Sequence, residues 1–148
     1  MTRSAKILGV LALVASPLVT MAAPTDKEVV EYREHIMNTL NEQAGALGEI
    51  LSNAIPDDNV VSHLDAIALT ASTALKAFEP KVQGGEAKPD VWANWPDFSK
   101  RMTEFAQKTA AMAKMAHDQG KDAALSEVLD ALSCKSCHDT YRKEKPKK

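Results

Sequence analysis

Four stretches of this 148-residue chain repeat apolar residues at intervals of three and four, and no stretch of useful length alternates with the period of a strand. That pattern points to helices, each burying one face. The first stretch, from about Thr25 to Ala54, puts Val29, Ile36 or Met37, Leu40, Ala44, Leu47 and Leu51 on one stripe. Thr25 with Glu28 three residues on is a capping box, and Pro56-Asp57-Asp58-Asn59 is turn chemistry that ends the helix. The second stretch, Asn59 to Phe78, aligns Val60, Leu64, Ile67, Ala71, Leu75 and Phe78 before Glu79-Pro80 stops it. Pro89 opens the third, which runs to about His117, with the helix beginning in earnest near Trp95 and Pro96 in its first turn. Gln119-Gly120 breaks the chain, and the fourth runs from Asp122 to Arg142 as one helix. Two short connections and one longer one join these segments into an all-α, antiparallel four-helix bundle.

Both cysteines of the chain fall in Cys134-Lys135-Ser136-Cys137-His138. This is the spacing of a c-type haem attachment site. Two thiols reach two vinyl groups of one porphyrin, and the adjacent imidazole swings under the iron. On a helix the three side chains share one face. A thioredoxin-like pair would open a helix after a strand, and no strand pattern precedes this one. A zinc site would need a further ligand pair that the sequence does not supply. A plain disulfide is the remaining rival. The expected cofactor is therefore one haem c, attached through Cys134 and Cys137, in the core of the bundle, with His138 as an axial ligand of its iron.

Arg3 and Lys6 precede an apolar run from Ile7 to Val19, followed by Thr20-Met21-Ala22-Ala23-Pro24. This reads as a secretory signal peptide cleaved after Ala22. The run is short for a retained membrane anchor. Residues 1–22 are thus the expected signal and 23–148 a single domain, exported to the periplasm and free of the membrane once the signal is removed. A net charge of −2 points to neither a nucleic-acid nor an acidic partner. The basic tail from Arg142 reads as a solvated terminus.

Arg33 interrupts its own apolar stripe, lying between Val29 and Met37. A buried guanidinium needs a partner, and a haem propionate would supply one by a bidentate contact; an arginine snorkelling to solvent is the rival reading. Met37 sits one turn further along the same face. Its thioether is a candidate sixth iron ligand opposite His138, or a soft apolar lid over an open face. His35, His63 and His117 fall off the inner faces. Arg142, four residues after His138, either covers the edge of the haem or complements a helix C-terminus.

These residues resemble the cytochrome c′ and cytochrome c-556 group of periplasmic four-helix-bundle haem proteins. The resemblance rests on Tyr32-Arg33 followed by Met37, on Lys88-Pro89-Asp90-Val91-Trp92, and on Cys134 to Arg142 at the end of the chain. It implies that His138 is the proximal ligand and that Arg33 lies near the propionates. It also implies that Met37 occupies the position that divides the group. A lining residue there leaves five-coordinate iron that binds small gases such as nitric oxide. A methionine that ligates gives a six-coordinate electron carrier. The leading expectation is the electron carrier with His138 and Met37 as metal ligands; the alternative is the gas binder. An enzymatic role is not expected, because no polar acid–base group faces the distal side. The redox partner protein is left unnamed, and a homodimer through the first two helices, with Val30 and Ile50 at hand, is left open.

Overall fold

The protein was analysed as a computed structural model, which describes residues 22–144. The expected signal peptide and the last four residues of the basic tail lie outside the described residues, apart from Ala22. Among the described residues the helices are α1 (Asp26–Leu51), α2 (Val60–Ala74), α3 (Asp90–Ala93), α4 (Trp95–Gln119), α5 (Lys121–Ser126), α6 (Val128–Ala131) and α7 (Cys134–Tyr141). Together they form a four-helix bundle whose first three legs are α1, α2 and α4. None of them is long and apolar enough to cross a membrane.

α1 starts on the expected capping box. The Glu28 amide donates to Thr25 Oγ1 at 3.3 Å while Glu28 Oε2 accepts from the Thr25 amide at 2.7 Å. It ends earlier than the sequence implies. The Ser52 hydroxyl donates to the Glu49 carbonyl, and Asn53 enters the left-handed region at φ 60°. α2 tightens into a 3-10 turn over Leu75–Phe78, capped where Trp92 Nε1 donates to the Phe78 carbonyl at 2.9 Å. Asn94 leaves helical geometry and separates α3 from α4, with Pro96 in the first turn of α4 as expected.

The fourth leg departs from the sequence reading. A single helix over Asp122–Arg142 is replaced by α5, α6 and α7. A serine takes a carbonyl out of the helical ladder at the first break: Ser126 Oγ donates to the Ala123 carbonyl at 2.6 Å while the Glu127 amide turns to the Ala124 carbonyl. This is the local competition that makes serine a poor interior helix residue. The Cys134 amide turns back to the Leu132 carbonyl at 2.7 Å, so α7 starts afresh at the first cysteine.

The core has two parts. An aliphatic half packs Leu47, Ile50, Val60, Leu64, Ile67 and Met112 against α5 and α6. An aromatic half gathers Phe78, Phe98, Tyr141, Val91 and Met102. Phe98 stands at the centre of the latter, with ring centroids 4.9 Å from Phe78, 5.7 Å from Trp95 and 5.2 Å from Tyr141. Near the end of α1 the expected stripe is displaced: Ile50 is buried and Leu51 is exposed. Measured from Leu47, Ile50 lies about 60° to one side of the stripe and Leu51 about 40° to the other. Periodicity admits both, and packing takes Ile50. Val30 is likewise used within the chain, because Gly84 approaches it so closely that a Cβ there would sit 2.9 Å from Val30 Cγ2.

Candidate functional site

Beside the aromatic half of the core lies a cavity of about 300 Å³, within the range of cofactor sites. Arg33 and Met37 from α1, Phe98 and Met102 from α4, and Cys137 and His138 from α7 line it. Two distant segments of sequence, α1 and α7, thus bring four of the five expected site residues to one place. The fifth, Cys134, begins α7 and is solvent-exposed. Neither cysteine is in a disulfide. Desolvation pushes both thiols above their ordinary range, which keeps them protonated at neutral pH.

Arg33 is only 3% exposed. Its Nη1 donates to the Val82 carbonyl and its Nη2 to the Gly84 carbonyl, each at 3.0 Å. The guanidinium carbon lies 5.2 Å from the ring centroids of both Phe78 and Trp92. Desolvation pulls its pKa below the usual arginine value, opposed by the charge of Glu34. Among the described residues no ion pair engages it. A guanidinium has five N–H donors, so donors remain beyond the two that hold the loop.

The loop that Arg33 grips also binds the end of α7. Ala87 and Arg142 form an antiparallel bridge. The Lys88 amide donates to the Tyr141 carbonyl at 2.9 Å, and the Lys143 amide to the Glu86 carbonyl at 2.8 Å. Lys88 Nζ reaches the Asp139 carbonyl at 3.0 Å. Glu86 and Arg142, both at the cavity wall, face each other at 3.9 Å. Residues 82–88 therefore form a strap that ties the start of α1 to the end of α7.

Sequence reasoning missed a second fastening. The Tyr141 hydroxyl donates to Asp97 Oδ2 at 2.5 Å, and Arg101 Nε donates to the same oxygen at 2.7 Å. These two bonds hold the Asp97 carboxyl below the usual carboxylate range. Burial, reinforced by Asp97, pushes Tyr141 up to about 12. The only trace in the sequence is an Asp97/Arg101 pair at i,i+4, indistinguishable from a solvated surface pair.

The other histidines lie elsewhere. His35 is exposed, His63 Nδ1 is 2.8 Å from Gln43 Oε1, and His117 Nε2 is 3.0 Å from Asp65. Among the described residues no cluster of three or more His, Cys, Asp or Glu could hold a bare metal ion. A covalently attached porphyrin requires two free thiols spaced on a helix, a neighbouring imidazole, an apolar slot and a cation near its edge. Cys137, His138, Arg33 and the apolar side chains supply these at the cavity, and Cys134, outside its lining, supplies the second thiol from the first residue of α7.

A sequence model of the family described as Cytochrome C′ matches residues 28–142. Cytochrome c-556 of Agrobacterium fabrum is 32% identical over 122 residues, covering 78% of this chain and 82% of its own. Cytochrome c′ of Alcaligenes xylosoxydans xylosoxydans is 25% identical over 124 residues, covering 80% of this chain and 96% of its own. A single-substitution mutant of cytochrome c prime from Alcaligenes xylosoxidans, 22% identical to this chain, has been solved as its nitric oxide complex. Among solved structures, cytochrome c prime from Shewanella frigidimarina superposes with a TM-score of 0.71 at 25% identity, over 83% of this chain and all of its own. With a family match spanning the bundle from α1 to the end of α7, the chain belongs to the cytochrome c′ family, whose cofactor is a covalently bound haem c.

Proposed function

We propose that this protein is an exported single-haem cytochrome that binds a small diatomic gas, nitric oxide being the type case, on the haem face opposite His138. The observation that carries this reading is the cavity shared by His138 and a largely apolar set of side chains, Met37, Phe78, Val91, Phe98 and Met102. Haem c supplies there an iron that takes diatomic ligands and exchanges single electrons. Cys134 and Cys137 would hold the porphyrin by thioether bonds, and His138 would offer its imidazole nitrogen from the same helix. Phe78 and Phe98 keep bulk water from the slot. Arg33 offers its remaining donors to a haem carboxylate, while its other two N–H groups hold the strap. Met37, on the cavity wall, would cover the gas-binding side as an apolar lid. The match to the cytochrome c′ family over residues 28–142 supports an open distal face. The basic and apolar N-terminal segment supports export to the periplasm, where c-type haem is attached.

A second reading, an electron carrier with Met37 as sixth ligand, is favoured by the place of that side chain on the cavity wall and by the relative named cytochrome c-556. Optical spectra separate the two. The gas-binding reading expects high-spin bands and a clear shift when carbon monoxide meets the reduced protein. Low-spin bands in both redox states, converted to high-spin by Met37→Ala, would replace it with the second reading.

A further inference from the structure

Asp97 lies far in sequence from the haem-attachment segment, yet it grips that segment on both sides of His138. One of its carboxylate oxygens accepts from the Tyr141 hydroxyl and from Arg101 Nε. Tyr141 is three residues after His138 on α7, and is itself only 3% exposed. Its ring stands nearly perpendicular to Phe98, at 79°, and its oxygen also accepts from Asn94 Nδ2 at 3.3 Å. Arg101, aligned by Asp97, extends Nη1 toward the Ser136 carbonyl at 3.5 Å, two residues before His138. α7 has eight residues and no side-chain cap at its N-terminus. A helix that short derives little orientation from its own hydrogen bonds, so tertiary fastenings set its rotation about its axis.

We propose that Asp97 is a positioning residue for the haem: through Tyr141 and Arg101 it fixes the rotation of α7, and with it the direction in which the His138 imidazole meets the iron. The proposal rests on His138 being the proximal ligand. Asp97 touches neither iron nor porphyrin in this scheme and acts through the helix. Its neutral hydroxyl partner is well suited to the task, because the high pKa of Tyr141 keeps the donor proton in place throughout the physiological range. The strap holds the last residues of α7 through backbone bonds and reaches Asp139 through Lys88 Nζ, while Asp97 and Arg101 add side-chain fastenings from α4.

The test uses the haem-loaded protein with Asp97→Asn, Tyr141→Phe and the double variant. Asn is isosteric and Phe lacks a single oxygen, so both leave the packing of the site in place. Resonance Raman spectroscopy of the reduced protein reads the iron–histidine stretch, and potentiometry reads the ferric-to-ferrous ratio. Each single variant is expected to move the stretch in the same direction. Each should also change the ratio at a fixed potential about threefold, roughly 28 mV on the scale of 59 mV per tenfold for one electron. The double variant should move neither readout further than the larger single one. A silent Tyr141→Phe would overturn the proposal, because the Asp97 charge would then act alone. Fully additive shifts would overturn it too, since two groups on one fastening cannot act independently. Amide hydrogen exchange at residues 134–141 should quicken in Asp97→Asn; unchanged exchange would equally refute the role. If the reduced native protein shows no iron–histidine band, the five-coordinate reading fails rather than the proposal, and potentiometry and the exchange experiment still decide whether Asp97 holds α7.

Discussion

Replacing Arg33 measures how much a single buried cation contributes to assembling the cavity. Arg33→Ala removes two charge-assisted bonds to the Val82 and Gly84 carbonyls and two ring contacts. Hydrogen bonds to charged groups contribute about 1.5–3 kcal/mol each. Val82 and Gly84 are half-exposed and can rebind water, which places both bonds near the lower figure, about 3 kcal/mol together. The ring contacts add about 0.5–1 kcal/mol each. Against this, the variant no longer holds a desolvated charge, a relief of about 1–2 kcal/mol. The expected net loss is about 3 kcal/mol. Arg33→Met forfeits the same bonds and gains the same relief, but it fills the space between Phe78 and Trp92 with a thioether that packs well on rings. Its expected loss is about 1 kcal/mol. Urea unfolding of the haem-loaded protein, followed by far-UV circular dichroism at unchanged m-value, reads both. An Ala variant within 1 kcal/mol of the native protein would refute the strap as a load on Arg33. A Met variant as unstable as the Ala variant would show that charge, rather than packing volume, makes the difference.

Phe98→Ala, at the centre of the aromatic half and 3% exposed, should cost about 3–5 kcal/mol; a loss below 1 kcal/mol in the same urea assay would mean that the three ring contacts do not hold this end together. Thr25→Ala should cost about 1 kcal/mol by deleting the capping box, and a stability equal to native would remove the box from the account of α1. The Tyr141 contribution to stability should be constant below about pH 10 and fall as pH rises through about 12, because the folded state raises the Tyr141 pKa to about 12 and so favours its neutral form. Tyr141→Phe should lose that component of the alkaline slope; identical slopes would contradict it. At the acid end the sign reverses. Asp97 is held below the ordinary carboxylate range, so its contribution is present above about pH 4 and is lost as pH falls, and Asp97→Asn should flatten that acid limb in the same titration.

Much of the architecture is legible in local patterns. The capping box at Thr25 and the first-turn Pro96 are decided within a few residues, and both are found where the sequence places them. Arg33 is conspicuous as a cation on an apolar stripe, and it is indeed buried. Its two carbonyl partners are some fifty residues away, and carbonyls have no signature in a sequence. Ile50 and Leu51 are equally compatible with the period of α1, so the choice between them belongs to the neighbouring helices. The last leg reads as one amphipathic helix because Leu125, Val128 and Leu132 keep the period; the Ser126 bond and the turn of the Cys134 amide onto Leu132 divide it and act on the backbone, which periodicity does not sense. Asp97 is the sharpest case. Its pairing with Arg101 is a common surface motif, and only the return of α7 beneath α4 brings Tyr141 onto the same oxygen.

By itself the sequence determined that this chain is helical, that its last helix carries two thiols and an imidazole on one face, and that Arg33 and Met37 share a face of the first. Those facts follow from spacing along a helix, a geometry that each segment carries alone. The tertiary structure decided that the two faces line one cavity, that Arg33 is bound to a strap before any other partner reaches it, and that α7 is an eight-residue helix held by Asp97. Such contacts join residues tens of positions apart, and burial and packing select them only once the whole bundle has closed.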